Sequence, residues 1–294
     1  MKPIALITGA AGLIGWYLVR SASRWAPQWE VRGITRAEAD LTDQAQVKAC
    51  YQRYHPDLVI HCAALSRTGA CEQDPALARR INVEATRRLA DVARDIPFVF
   101  LSSDQVFDGS KAWYVETDRV NPLNVYGHTK AEAEQAVLQN PAHTVIRVAL
   151  TAGASPTRDR SFIEDMVRVV AKGQRLTLFT DEFRCPIPAG TLVHALWEFV
   201  AQPRAGLYHL GGSDRLSRWE IGELLARLYP ELRSKIQPGS VADYQGPPRP
   251  PDLSMCSDKI QALLSFRLPG FHQWVTKGPR ACDDPWDEPA NDCR

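Results

Sequence analysis

"ALITGAAGLIGWYLVR", residues 5–20, joins an apolar run to three glycines spaced three apart, and then to a helical pattern carried by Leu13, Ile14, Tyr17 and Leu18. An apolar run that stops at a glycine reads as a buried strand entering a turn, and the 3–4 spacing that follows reads as a helix. Glycine permits the tight turn, lets the backbone approach a pyrophosphate and allows close helix–sheet packing. The free N–H groups and the helix dipole favour the anion. Gly9, Gly12, Leu13, Ile14 and Gly15 are therefore the expected phosphate cradle of a dinucleotide. A triple glycine alone also fits a mere tight turn; the strand before it, the helix after it and its N-terminal position favour binding.

Further apolar runs follow at 30–35 (EVRGIT), 57–63 (DLVIHCA), 97–102 (PFVFLS) and 143–150 (HTVIRVAL), with amphipathic stretches such as 74–95 between them. Continuous rather than alternating hydrophobicity argues for strands buried on both faces, hence a parallel sheet covered by helices. The expected fold is an α/β, Rossmann-type doubly wound sheet. Its dinucleotide-binding domain is placed at 1–150, a smaller substrate-binding lobe at 151–276 and a flexible, acid- and proline-rich tail at 277–294. Within the lobe, Gly173 reads as a helix C-cap, Ser217 and Glu220 have capping-box spacing, and 245–252 (QGPPRPPD) reads as an extended loop.

Hydrophobic residues make up 45% of the 294, enough for a sizeable core, and the charges balance to +1. Neither a basic stripe nor an acidic block points to nucleic acid or an anionic membrane, and no stretch reaches the roughly 20 apolar residues of a membrane span. A small-molecule partner is the expectation. The seven cysteines lack metal-binding spacing, so a reduced, cytoplasmic protein with no metal site is expected, with Cys62 as a small buried hydrophobe.

Near the end of the second strand an NAD-selective site normally carries an acid for the ribose hydroxyl. Here Gly33 and Arg36 occupy that region. An arginine holds a 2′-phosphate that a carboxylate repels, so NADP(H) is expected in preference to NAD(H), although Arg36 also reads as an ordinary solvated residue. At 126–130, "YGHTK" sets a phenol and an ammonium four residues apart on one helix face. Taken alone, that pair also fits a solvated helix.

Together, "TGAAGLIG" (8–15), "DLTD" (40–43), "HCAA" (61–64, after the fourth strand) and "YGHTK" resemble the extended short-chain dehydrogenase/reductase family. "FLSSDQVFDG" (100–109), "VNPLNVYGHTKAEAE" (120–134), "YHLGG" (208–212) and "RPPDLSM" (249–255) are similar to its dTDP-4-dehydrorhamnose reductase group over about residues 1 to 270. The resemblance implies a catalytic triad of Ser103, Tyr126 and Lys130, with Asp40 and Leu41 near the adenine and Ala63 and Ala64 lining the cofactor cleft. Tyr126 and Lys130 would also contact the cofactor. In that scheme Ser103 closes the fifth strand and donates to the substrate carbonyl, while the Lys130 ammonium lowers the phenol pKa of Tyr126. Asp104 reads either as a turn cap or as a substrate contact.

Two departures from the group bear on the substrate. Gln105 stands where the group has tyrosine, and Val148, Ala149 and Leu150 follow Arg147 where it has Thr-Ser-Trp. Arg184, in the polar stretch 181–190, reads as a clamp for a nucleotide diphosphate or as a salt-bridged surface residue, and 155–162 as a closing loop or a simple connection. The expected activity is reduction of a keto group on a nucleotide-linked deoxysugar or another small carbonyl compound, with a homodimer as the candidate assembly. The same subgroup resembles the regulatory β subunit of methionine adenosyltransferase, which makes a cofactor-binding regulatory role an alternative. Epimerase or dehydratase action is another.

Overall fold

The computed structural model describes residues 1–277. The expectation of a flexible tail lies outside these residues except at Lys277, which closes the last helix.

In chain order the elements are β1 (Ile4–Thr8), α1 (Leu13–Trp25), β2 (Glu30–Ile34), α2 (Gln44–Tyr54), β3 (Leu58–His61), α3 (Thr68–Gln73), α4 (Pro75–Arg79), a π-helical turn (Arg80–Glu84), α5 (Ala85–Val92), β4 (Phe98–Ser103), α6 (Val125–Val137) and β5 (Thr144–Val148). There follow β6 (Thr151–Ala152), α7 (Phe162–Ala171), β7 (Leu176–Phe179), β8 (Phe183–Arg184), β9 (Ile187–Pro188), α8 (Ala189–Ala201), β10 (Gly206–Leu210), β11 (Leu216–Ser217), α9 (Arg218–Leu228), β12 (Ile236–Gly239), α10 (Asp258–Gln261) and α11 (Phe271–Lys277).

Six strands form one parallel sheet in the order β10-β5-β4-β3-β1-β2. Every residue of β3, β4 and β5 is buried, which is why their sequences do not alternate. The two faces separate residue by residue. Ala5, Ile7, Leu58, Ile60, Val99, Leu101 and Ile146 pack under α1 and α8, whereas Leu6, Val59, Phe98, Phe100 and Val145 pack under α2, α5 and α6. This is the doubly wound α/β fold that the apolar runs predict.

The strand count differs from the family-based one. "HCAA" follows the third strand, Ser103 closes the fourth and Arg147 lies in the fifth, with 40–43 a loop as expected. There Asp43 caps α2, accepting from the backbone N–H groups of Ala45 and Gln46. The chain also returns to the first layer after residue 150, since α8 covers α1 and β10 extends the sheet beside β5. The lobe itself rests on α7, α9 and α11 around Ile163, Met166, Leu225 and Phe271. Both Ser161–Glu164 and Ser217–Glu220 form reciprocal capping boxes, and Gly173 closes α7 at φ +77°.

The amphipathic stretch 74–95 is not one regular helix. Its π turn aims Asn82 inward, where the amide exchanges hydrogen bonds with Leu65 N (2.8 Å) and O (3.1 Å) and donates to Thr129 Oγ1 (2.9 Å). One side chain thereby ties the loop after β3 to α6, a use of π-helical geometry that often marks a functional region. Among the described residues no helix is long and apolar enough to cross a membrane.

Candidate active site

The strand order reverses between β1 and β3, the place where doubly wound sheets hold ligands at their carboxyl ends. A cleft of about 690 Å³ opens there. Its lining includes Gly9, Gly12, Leu13, Ile14, Gly15, Arg36, Asp40, Leu41, Ala63, Ala64, Ser103, Asp104, Gln105, Tyr126 and Lys130. The sequence-predicted site residues, Arg184 apart, therefore converge on one cavity.

At its cofactor end, Gly9 has φ +69°, and a Cβ on it would lie 2.7 Å from Ala63 N. Only glycine fits so close to the loop after β3. Gly12, the N-cap of α1, offers no side chain, so the first-turn amides stay uncapped beside the cleft and suit a phosphate. Asp40 accepts from Thr42 N (2.9 Å) and Thr42 Oγ1 (2.8 Å), which hold its carboxyl below the usual range and brace the loop that carries Leu41. Exposed Arg36 stands 3.8 Å from Asp40 at the rim. This lining fits a dinucleotide: small residues and amides at the turn, a braced acid and a cation farther along.

The catalytic end is assembled by α6. Asn124 caps it, accepting from Gly127 N at 2.8 Å, and Val125 N donates to Glu72 Oε1 at 2.8 Å. Gly127 presses against the Gln105 carbonyl so closely that a Cβ there would overlap it. The helix start is thus seated on the turn after β4, which brings Tyr126 beside Ser103. Gln105 is itself held, accepting from Asn124 Nδ2 at 3.0 Å.

Electrostatics at this end differ from the expectation. Burial pushes the Tyr126 phenol up, and the Ser103 hydroxyl is hydrogen-bonded to it. Lys130 is engaged elsewhere: its Nζ donates to Leu101 O (2.6 Å) and lies 3.9 Å from the centroid of the Phe100 ring. Burial brings the ammonium down to about 7 against the pull of Glu134. The expectation that Lys130 lowers the phenol is corrected accordingly for this geometry. Burial also pushes the Asp104 carboxyl up to about 6, with Arg184 opposing, and the Cys62 thiol up to about 12.

Arg184 requires a second correction. It lies in β8 rather than in a polar loop and is 3% exposed, paired with Glu182 at 2.9 Å and donating to Phe183 O (2.6 Å) and Pro250 O (3.2 Å). So engaged, its guanidinium is held by protein acceptors and does not line the cleft. Glu182 also takes Arg249 in a two-point pair, and Arg218 lies close enough to feel it. Two guanidiniums thus pair with one carboxylate, and a third lies in its field. Arg218 stacks 5.1 Å over the ring of Phe162, which lines the cleft, and burial lowers it to about 10.

Sequence reasoning passed over Arg218 and Arg249. A faint signal existed in Arg218, a cation in the first turn of a helix where the dipole disfavours it. Also passed over was the buried pair of Arg147 and Glu134 (2.7 Å), one turn beyond Lys130, which fixes α6 to β5 and accepts the Ser102 hydroxyl. The 155–162 loop meets the opposite rim, where Arg67 Nη2 donates to Asp159 O at 2.6 Å, and its Arg160, Ser161 and Phe162 line the cleft.

A family model described as the RmlD substrate binding domain matches residues 1–279. A dTDP-4-dehydrorhamnose reductase of Sinorhizobium fredii is 29% identical over 91% of this chain and 93% of its own length. Methionine adenosyltransferase 2 subunit beta of Xenopus laevis is 32% identical over 88% of this chain and 82% of its own. Among solved structures, the dTDP-4-dehydrorhamnose reductase of Bacillus anthracis in complex with NADP superposes with a TM-score of 0.85 at 22% identity, covering 94% of this chain and 98% of that one.

Proposed function

The chain belongs to the RmlD substrate binding domain family, and from that premise we propose that it reduces the keto group of a nucleotide-linked deoxysugar, with Tyr126 as proton donor. It is an NAD(P)-dependent oxidoreductase, and its relatives include a dTDP-4-dehydrorhamnose reductase and a dTDP-4-keto-6-deoxy-D-glucose reductase. One observation carries the finer reading: Ser103, Asp104, Tyr126 and Lys130 line the same cleft as the glycine cradle.

A nicotinamide dinucleotide, when bound, supplies the hydride. Gly9, Gly12 and the first turn of α1 hold its phosphates, and Asp40 and Leu41 flank the adenine side. Arg36 at the rim favours a 2′-phosphate, hence NADP(H). Ser103 polarises the substrate carbonyl, Tyr126 delivers the proton to its oxygen, and Lys130 steadies the ribose. The surplus positive charge of Arg218, Arg184 and Arg249 over Glu182 suits the phosphates of a sugar nucleotide, with Arg218 the contact. Unpaired thiols at Cys50, Cys62, Cys71, Cys185 and Cys256 accord with a cytoplasmic setting.

The test is oxidation of NADPH against a panel of 4-keto-6-deoxy nucleotide sugars. Tyr126→Phe is expected to lower kcat/KM by about 10²- to 10⁴-fold, the usual contribution of a positioned acid, at an unchanged thermal midpoint. Undiminished turnover rejects the proton-donor assignment.

The likeness to a methionine adenosyltransferase subunit favours a second reading, a cofactor-binding regulatory subunit. That role asks nothing of Ser103, Tyr126 and Lys130. Turnover of no carbonyl compound, together with a stoichiometric co-purifying partner, would support it over the first.

A further inference from the structure

The Ser103 hydroxyl has one hydrogen, and two groups compete for it. It is donated to Asp104 Oδ1 at 3.0 Å, while the same oxygen accepts from Gln105 N at 3.2 Å. A serine so arranged has a single lone pair left, which suits accepting a hydrogen bond from Tyr126 and leaves nothing to donate to a substrate carbonyl. Polarisation of the substrate by Ser103 requires that hydrogen to be freed.

Asp104 is 4% exposed and lines the cleft at the end of β4. The charged and titratable groups that act on it are Ser103, Tyr126, Arg184, Glu182, Cys185 and Arg218. We propose that Asp104 sets the direction of a hydrogen-bond chain through Ser103 to Tyr126, pointing it away from substrate when ionised and toward substrate when protonated; this inference rests on the reductase reading above. With the carboxylate ionised, Tyr126 donates to Ser103 and Ser103 to Asp104. With the carboxyl protonated, Asp104 donates to Ser103 Oγ, which still accepts from Gln105 N, and the serine hydrogen turns to the phenol and the substrate. Each arrangement fills one donor and two acceptor positions on the serine oxygen.

In reduction, a bound reduced nicotinamide would supply hydride to the carbonyl carbon, the π pair of C=O would move to oxygen, and Tyr126 would give that oxygen its proton. The phenolate takes the hydrogen of Ser103, Ser103 takes that of Asp104, and the carboxylate regains a proton from solvent through the cleft. Alcohol oxidation runs the same chain in reverse, from ionised Asp104. Burial holds the carboxyl near 6, so both forms are populated close to neutrality. Asp104 touches Ser103 rather than substrate and is a positioning residue.

The test is the pH profile of the full-length enzyme. In the wild type, kcat/KM for reduction is expected to fall about fiftyfold from about pH 6 to about pH 8, while that for oxidation of the product alcohol rises. Asp104→Asn removes the titrating group in a side chain of the same shape, and the limb is expected to vanish. Ser103→Ala is expected to abolish it too, because the chain is cut. Turnover by Asp104→Asn with the wild-type limb intact overturns the inference and leaves the reductase reading standing. Absence of wild-type turnover at every pH defeats that reading instead. Infrared difference spectra then decide the chain: a protonated-carboxyl band that appears below about pH 6, is lost in Asp104→Asn and titrates higher in Ser103→Ala supports it, and its absence overturns it.

Discussion

At the cofactor end of the cleft the walls are backbone and small side chains from two turns, 9–15 and 62–64, each continuous in sequence. Behind the substrate end, where Asp104 lines the cleft, Glu182 and Arg184 from one segment meet Arg218 and Arg249 from two others. The first end works through groups that every residue carries, amides and the absence of Cβ, so its chemistry is written in local spacing. The second works through which side chain reaches which, and that is fixed only by packing. Substitutions should therefore act differently at the two ends, by steric exclusion at one and by an altered charge balance at the other.

Steric exclusion gives the largest expected effect. Gly9→Val places a β-branched residue at φ +69° with its Cβ against the Ala63 backbone. Left-handed backbone costs an L-residue roughly 1–2 kcal/mol before any overlap is counted, so cofactor dissociation constants should rise by more than about a hundredfold. Fluorescence titration with NADPH measures this. Retained affinity would mean that the cradle is not where the dinucleotide binds.

The same contrast explains what could be read beforehand. The sheet, the glycine turn and the capping box at Ser217 follow from periodicities and spacings within a few residues, and all appear as expected. Ser103, Tyr126 and Lys130 reach the cleft because a strand end and a helix start are local features too. Arg184 shows the limit: its flanking residues read as a polar loop, yet Glu182 and the carbonyls of Phe183 and Pro250 bury it. The partner at residue 250 is remote, and no window around 184 contains it. Lys130 fails in the same manner, its ammonium drawn to the Leu101 carbonyl by a strand 29 positions away. Spacing along a helix sets which residues share a face, and tertiary neighbours set the charge they feel.

At the substrate end the sharper probe is Arg218→Ala. Arg184 and Arg249 each have Glu182 as a close partner, whereas among the described residues Arg218 has the Phe162 ring and the field of its neighbours. Its removal leaves the Glu182 pairs intact, so stability should change little. A charged hydrogen bond to a phosphate is worth about 1.5–3 kcal/mol, so KM for a sugar nucleotide should rise about tenfold or more, with kcat much less affected. A phosphate-free carbonyl analogue should show no such change. Equal loss with both substrates would move Arg218 from phosphate binding to general support of the lobe.

The smallest effect is expected where a cofactor contact is made by a long side chain in water. Arg36 is 85% exposed, and its charged neighbour among the described residues is Asp40 at 3.8 Å. Exposed pairs of this kind contribute about 0.2–1 kcal/mol, so Arg36→Ala should reduce the preference for NADPH over NADH by only about two- to fivefold. Because the charge is solvated, the effect should shrink further as salt rises and the Debye length falls to a few ångström at about 1 M. Paired titrations of wild type and variant with both cofactors, at low and high salt, read it directly. A change that persists at high salt would show that Arg36 folds over the ribose and loses water on binding. An unchanged ratio at low salt would transfer cofactor choice from this side chain to the backbone-built wall beside it.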